Sequence, residues 1–234
     1  LVIYFLTFGY TLLYYHLKSR VVYFKYNSFE VSGTYGNILD YIGASKVNLI
    51  VPVNSCFDTK IDDSVISTNS LHGKVIKFLY DNNLVSQTDL DKKIKRSLKE
   101  QSISSVNIGN DVKKGGKSVG NYNRYPIGST AFVDIGNVRY HFIALSIIEN
   151  NKNAVTSDQD YLTVLNAIVD NCFRNSHGNP IYLPLVGSGL SKLNYNHQQQ
   201  LEFMVKYFML RKTKLISDVE IVIRKEDGDT ISIL

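Results

Sequence analysis

Pro180-Ile-Tyr-Leu-Pro-Leu-Val-Gly-Ser-Gly-Leu-Ser-Lys-Leu193 is the stretch on which the fold of this chain turns. Ile181 to Leu183 is a short apolar run bounded by prolines, which suits a buried strand of a parallel sheet. The strand is expected to end near Pro184. Gly187-Ser188-Gly189 then spaces two glycines so that backbone N–H groups can turn toward one point, and a periodic helix begins a few residues later. An anion would sit there. The same residues also fit a plain tight connection, so the rest of the chain has to decide.

At 234 residues, 44% hydrophobic and 20% charged, the chain can bury a full core, and the composition excludes intrinsic disorder. One globular domain with an appendage is the expectation. The net charge of +5 gathers in runs such as Lys92-Lys93-Ile94-Lys95-Arg96 and Lys113-Lys114-Gly115-Gly116-Lys117. These could touch phosphates or acidic lipid, but they read first as solvated faces, since no nucleic-acid fingerprint accompanies them and no nucleic-acid partner is expected. Cys56 and Cys172 stand far apart without paired-ligand spacing, which argues against a disulfide framework or a zinc site and fits a reducing compartment.

Leu1 to Leu17 carries no charge, and Lys18 and Arg20 follow it. The run is slightly short of the ~20 residues a span needs, and it reads as the end of a membrane helix. Tyr14 and Tyr15 would lie at the interface, with the basic residues holding the next domain in the cytoplasm. A hydrophobic strand or core helix of the following domain is the other reading. The expected division is residues 1–20 as the membrane segment and 21–234 as the soluble domain.

From Val21 the pattern changes to strands. Val21 to Tyr26 and Phe29 to Ser32 are aromatic and β-branched, broken at Asn27-Ser28, and Gly33 to Ile38 reads as a strand-ending turn. Val47 to Val53 predicts a buried strand, and Asn54 to Thr59 a polar loop. Asn69-Ser70 caps a helix through Leu71, Val75, Ile76 and Leu79. Thr88 and Asp91 are the expected caps of a second, surface helix with Leu90, Ile94 and Leu98. Ser102 to Tyr122 reads as a mobile loop near a ligand or partner. A hairpin is expected around Gly136-Asn137. Ser157 and Asp160 open a helix that Gly178 and Pro180 end. A helix with Leu201, Met204, Val205 and Phe208 precedes a last strand, Val219 to Ile223. Alternating helices and strands mark a layered α/β sheet.

These residues together resemble a known family. Val47 to Asn54 with its polar loop, Gly36-Asn37-Ile38 upstream, the hairpin at Gly136, and Pro184 to Leu190 downstream are similar to the macro domain, which binds ADP-ribose. More narrowly, Pro52 to Thr59, Ile66-Ser67 and Ser70-Leu71-His72-Gly73 resemble the macro domains of Thoeris antiphage effectors joined to membrane helices. The likeness covers most of Val21 to Arg224. It implies a three-layer α/β/α fold with a mixed central sheet, preceded here by a partial N-terminal transmembrane helix.

The resemblance further implies a ligand rather than a cofactor: an ADP-ribose derivative, with histidine-linked ADP-ribose among the candidates. Asn37 and Ile38 would lie at the adenine. Asn54, Phe57 and Asp58 would flank the distal ribose, and Ser70, Leu71, His72 and Gly73 would face the phosphates together with Gly187, Ser188, Gly189 and Leu190. Asn37 stands where the family commonly has Asp, which removes charge assistance at the adenine amine. Pro52 and Val53 lie where hydrolytic members have a glycine-rich loop. The implied function is therefore a sensor rather than an enzyme. It would be a homo-oligomer at the cell membrane, its macro domain facing the cytoplasm, that reads a signal from a TIR-domain partner, self-associates and disrupts the membrane. Hydrolysis of ADP-ribose esters is the alternative.

Of the histidines, His72 suits ligand contact, packing or catalysis in that order. His141 reads as structural, His177 as a helix-end residue and His197 as exposed. Asp62-Asp63 reads as a solvated pair and not as a metal site.

Overall fold

Alternating apolar side chains along the strands build two cores, one on each face of a single mixed sheet. The structure is a computed structural model that describes residues 19–43, 45–63, 65–109, 119–148, 154–187 and 195–233. In chain order it contains β1 (Arg20–Tyr26), β2 (Phe29–Tyr35), β3 (Val47–Asn54), α1 (Leu71–Asp81), α2 (Gln87–Glu100), β4 (Val106–Asn107) and β5 (Asn123–Arg124). There follow β6 (Thr130–Ile135), β7 (Val138–Ile148), β8 (Ala154–Val155), α3 (Asp158–Ala167), β9 (Ile181–Pro184), α4 (His197–Leu210) and β10 (Val219–Ile223). The main sheet has the order β1-β2-β10-β9-β3-β7-β6, with β8 on β7, while β4 and β5 pair apart from it.

Strands β2, β10, β9, β3 and β7 are mutually parallel, and β1 and β6 are antiparallel edges. All five parallel strands therefore end on the same edge of the sheet. Leu49, Val51 and Val53 of β3 pack under α1 and α2, whereas Ile50 joins α3 and α4 in the other core. The three-layer architecture and the mixed sheet agree with expectation.

Local chemistry accounts for the element ends. Asn27, at φ 54, turns the β1–β2 hairpin, and Gly136, at φ 57, turns β6 into β7. Ser157 and Asp160 form a reciprocal capping box on α3. That helix continues as a π turn over Ile168–Phe173, which keeps Ile168, Val169, Cys172 and Phe173 buried. His177, at φ 53, ends it.

Two expectations are corrected. Gly33 to Tyr35 belongs to β2 and is not a turn: a Cβ on Gly33 would lie 2.2 Å from the Tyr23 hydroxyl, so glycine admits the neighbouring strand's ring. The cap of α2 is Ser86, whose Oγ accepts from Asp89 N at 3.1 Å, while Thr88 lies inside the first turn. The membrane helix expected over Leu1 to Leu17 falls outside the described residues. Among those described, no helix is long and apolar enough to cross a membrane.

Candidate functional site

The site follows from where two neighbouring parallel strands send the chain. β3 leads through a loop into α1, which packs in one core, and β9 leads toward α4, which packs in the other. The connections from adjacent strands thus leave on opposite faces, and in open α/β sheets a crevice forms at the carboxyl ends of such a pair.

Two prolines mark the same place. β3 and β9 are in register only at Asn48–Ile181 and Leu49–Tyr182. Val47 N donates to Asn137 O on the β7 side and Asn48 N to Pro180 O on the β9 side. With the alternation of a strand, the nitrogen of Pro52 also faces β9. Ile181 N donates to Asp218 O on the β10 side, so the nitrogen of Pro184 faces β3. Neither proline has an N–H to give, so the ladder has no donor at these positions on the two facing edges. The strands stop pairing toward their carboxyl ends, and the crevice lies beyond.

One wall is the loop after β3. Asn54, Ser55, Cys56, Phe57, Asp58 and Thr59 are all buried, although the segment is largely polar. Its interior is wired to itself and its neighbours. Asn54 Oδ1 accepts from Cys56 N at 3.0 Å, and Phe57 N donates to Asn54 O at 2.9 Å across a turn that leaves Phe57 at φ 50. Ser55 N donates to Ser146 O of β7, and Tyr125 N to Ser55 O, both at 2.8 Å. Asn121 is the clamp: its backbone N–H reaches Asp58 Oδ1 at 2.6 Å, and its Nδ2 reaches Phe57 O at 2.9 Å and Cys56 O at 3.3 Å. Tyr125 sets its ring edge-on to Phe57 at 5.5 Å. The carbonyl of Asn54 is therefore committed to shaping the loop.

The start of α1 supports the same loop. Ser70 Oγ accepts from Gly73 N at 3.0 Å and donates to Ser67 O at 2.7 Å. A Cβ on Gly73 would lie 2.2 Å from Ser67 O, so glycine lets the helix press against the chain that precedes it. Leu71 is half-buried. His72 is buried and hydrogen-bonded to the Asp58 backbone, and burial lowers its pKa to about 4, so the ring is neutral at neutral pH. His72 thus ties helix to loop.

On the opposite wall Gly187 is buried with φ 86, a conformation that favours glycine. Ser188, Gly189 and Leu190 lie outside the described residues. Asn37, directly after β2, is exposed, and its Oδ1 caps the turn Ile38–Tyr41 by accepting from Leu39 N at 3.2 Å, while Ile38 is buried beneath. The carboxyl edge therefore gathers Asn37, the Asn54 loop, the Ser70 to Gly73 helix start and Gly187. Asn121, Tyr125 and Ser146 are the contributors that sequence reasoning missed. Only the reading of Ser102 to Tyr122 as a loop near a ligand or partner pointed toward Asn121.

The described residues also line two clefts. One of about 240 Å3 is bordered by the loop itself, at Cys56 and Phe57, with Asp91 and Lys95 of α2 and with Asn121 and Tyr125. Another of about 310 Å3, lined by Lys46, Arg139 and His177 among others, opens at the amino ends of the strands, the edge that parallel sheets do not use for ligands. His141 is fully buried, bonded through Nε2 to Asn48 Oδ1 at 2.9 Å, and burial lowers its pKa to about 3, as befits a structural residue. Asp63 folds back onto Thr68, and among the described residues no cluster could hold a metal.

Comparison with known proteins identifies the family. Residues 31–224 match the family model described as Thoeris protein ThsA, Macro domain. The Thoeris protein ThsA of Bacillus amyloliquefaciens (strain Y2) is 26% identical over 188 residues, which make up 78% of this chain and 59% of that protein. The match thus spans about three-fifths of that relative. Among solved structures, a macrodomain of Oceanobacillus iheyensis with ADP aligns at 12% identity and a TM-score of 0.44, covering 88% of this chain and 89% of that one. A protein of unknown function from Bacteroides thetaiotaomicron aligns at 11% identity and a TM-score of 0.42, covering 84% and 99%. These two distant likenesses carry no part of the assignment, which rests on the family match across most of the sheet: the chain belongs to the family of Thoeris ThsA macro domains.

Proposed function

We propose that the crevice between β3 and β9 binds an ADP-ribose-derived nucleotide, and that the chain is the sensor part of a Thoeris antiphage effector. The observation that carries this reading is the switch point, where pairing of β3 and β9 stops and two prolines face the gap. A diphosphate there would meet backbone N–H groups at Gly187 and the N-terminus of α1, groups that suit an anion without a buried lysine. The buried loop from Asn54 to Asp58 would hold the distal ribose, and Asn37 and Ile38 the adenine.

The signal is made by a TIR-domain partner, and histidine-linked ADP-ribose is the candidate. Occupancy promotes self-association, and the apolar run before Lys18 carries the response into the membrane with the macro domain on the cytoplasmic side. The site acts as a receptor and not as a hydrolase, since its histidine is a neutral, weakly basic ring tied to the loop backbone. Calorimetry with ADP-ribose and its histidine-linked derivative tests binding, and chromatography of the nucleotide after incubation tests turnover. Light scattering and liposome leakage, with and without nucleotide, test the response. Absence of binding sinks the reading, and steady release of ADP-ribose from an ester replaces it with the hydrolase.

A further inference from the structure

The outer side of α4 presents apolar side chains to solvent. Phe203 and Met209 are each 43% exposed and Leu210 is 83% exposed, whereas Leu201, Met204 and Phe208 of the same helix are buried. Phe203, Tyr207 and Leu210 are spaced four and then three residues apart, which aligns them on one side. The rings of Phe203 and Tyr207 stack at 6.3 Å. The helix runs directly into the turn Lys212–Lys214, and Ile216 after it is 41% exposed.

Charged side chains flank this strip, two of its cations already in ion pairs. Lys206 reaches Glu202 at 3.7 Å and Arg211 reaches Asp170 at 2.7 Å. Lys212 Nζ lies 5.8 Å from the centre of the Tyr26 ring, which joins the end of α4 to the tip of the β1–β2 hairpin. Lys212 and Lys214 form no ion pair with any described residue.

Aromatic and aliphatic side chains projecting among lysines match the two layers of a membrane surface. Hydrocarbon takes up the apolar groups, tyrosine rings suit the interface, and headgroup phosphates pair with the lysines. The core of a protein interface is instead depleted of lysine. We propose that the carboxyl end of α4, with the hairpin tip at Tyr26, rests on an anionic phospholipid surface. None of these residues lines the gap between β3 and β9, so the proposal is independent of the nucleotide reading. β10 starts three residues after Ile216, at the amino ends of the parallel strands, so a domain docked by this strip keeps its crevice open to solvent.

Co-sedimentation of the whole chain with phosphatidylcholine vesicles, with and without phosphatidylglycerol, tests it. Whatever the apolar residues before Lys18 contribute appears with phosphatidylcholine alone and is shared by every variant. The wild type is expected to partition more strongly when phosphatidylglycerol is present. Lys212→Gln with Lys214→Gln should weaken that increment roughly twenty-five-fold, about fivefold for each lysine. Leu210→Ser, at a solvent-facing position, should weaken it about tenfold with the melting temperature unchanged. Equal partitioning of the wild type to both vesicles, or variants that match it, overturns the proposal. So does a Leu210→Ser variant that loses self-association while its lipid partitioning is intact, which would assign the strip to a protein.

Discussion

Asn121→Ala isolates the contribution of the loop clamp. The substitution keeps the backbone N–H that bonds Asp58 but deletes the amide that donates to Phe57 O and Cys56 O. Both acceptors belong to buried residues. Two net hydrogen bonds of about 1 kcal/mol each, with some added cost for carbonyls left dry, give a loss of roughly 2 to 3 kcal/mol. For a domain of this size that is a fall of roughly 5 to 10 °C in melting temperature. Phe57 sits at φ 50, which costs about 1 kcal/mol in a residue with a Cβ, so a loop released from its clamp should relax away from the shape that faces the crevice. Nucleotide affinity should then fall about tenfold as the loop pays for its own ordering, and calorimetry would read it. Asn123→Ala is the control: its side chain is exposed and among the described residues makes only a 3.5 Å contact to Asn107, so it should stay within about 0.5 kcal/mol of wild type. If Asn121→Ala melts together with Asn123→Ala, the loop is held by something other than the clamp.

Gly73→Ala should destabilise by at least about 2 kcal/mol, because its Cβ meets backbone and not a movable side chain; an unchanged urea midpoint would contradict the close packing at Ser67 O. Gly187→Val should abolish measurable nucleotide binding and, because a β-branched residue is strained at φ 86, lower the melting temperature as well; unaltered affinity in a variant that still folds would move the phosphate elsewhere. Acid should weaken the fold through two histidines whose folded pKa values are depressed by burial. The unfolded chain takes up protons below the ordinary value of 6.5, while His72 resists down to about 4 and His141 to about 3. Stability should therefore be flat above that value and fall as pH drops through the window, and His72→Gln should shallow the slope. Urea midpoints that are equal at neutral pH and at about pH 5 would refute it.

Where a single stretch of chain determined the outcome, sequence reading located it. Val219–Ile223 is the strand expected there, and the Ser157–Asp160 box opens α3, because both signals lie within a few residues. Gly33 misled because its reason is a ring on another strand, and a glycine that makes room looks in sequence like one that makes a turn. Ser86 and Thr88 are both good caps; the choice falls to the residue whose backbone is extended, here Ser86 at ψ 157. The strand end at Pro184 was legible, and Pro52 was read within the strand that became β3. That their nitrogens face each other became visible only with the strand order. Asn121 acts on residues more than sixty positions earlier, and no local pattern records such a contact.

The place of β10 has a consequence for how the molecule is assembled. β10 lies between β2 and β9, so the β1–β2 hairpin joins the sheet only through a strand formed some 190 residues later in the chain. Arg20 pairs with Glu220 across a separation of 200 residues. During synthesis the hairpin therefore waits beside an unfilled slot while β3, β7, β6 and β9 are made. Contacts of such long range make folding slow, and until Ile223 has emerged both sides of the slot are unpaired strand edges exposed to other chains. The sheet is completed by the last-made of its described strands.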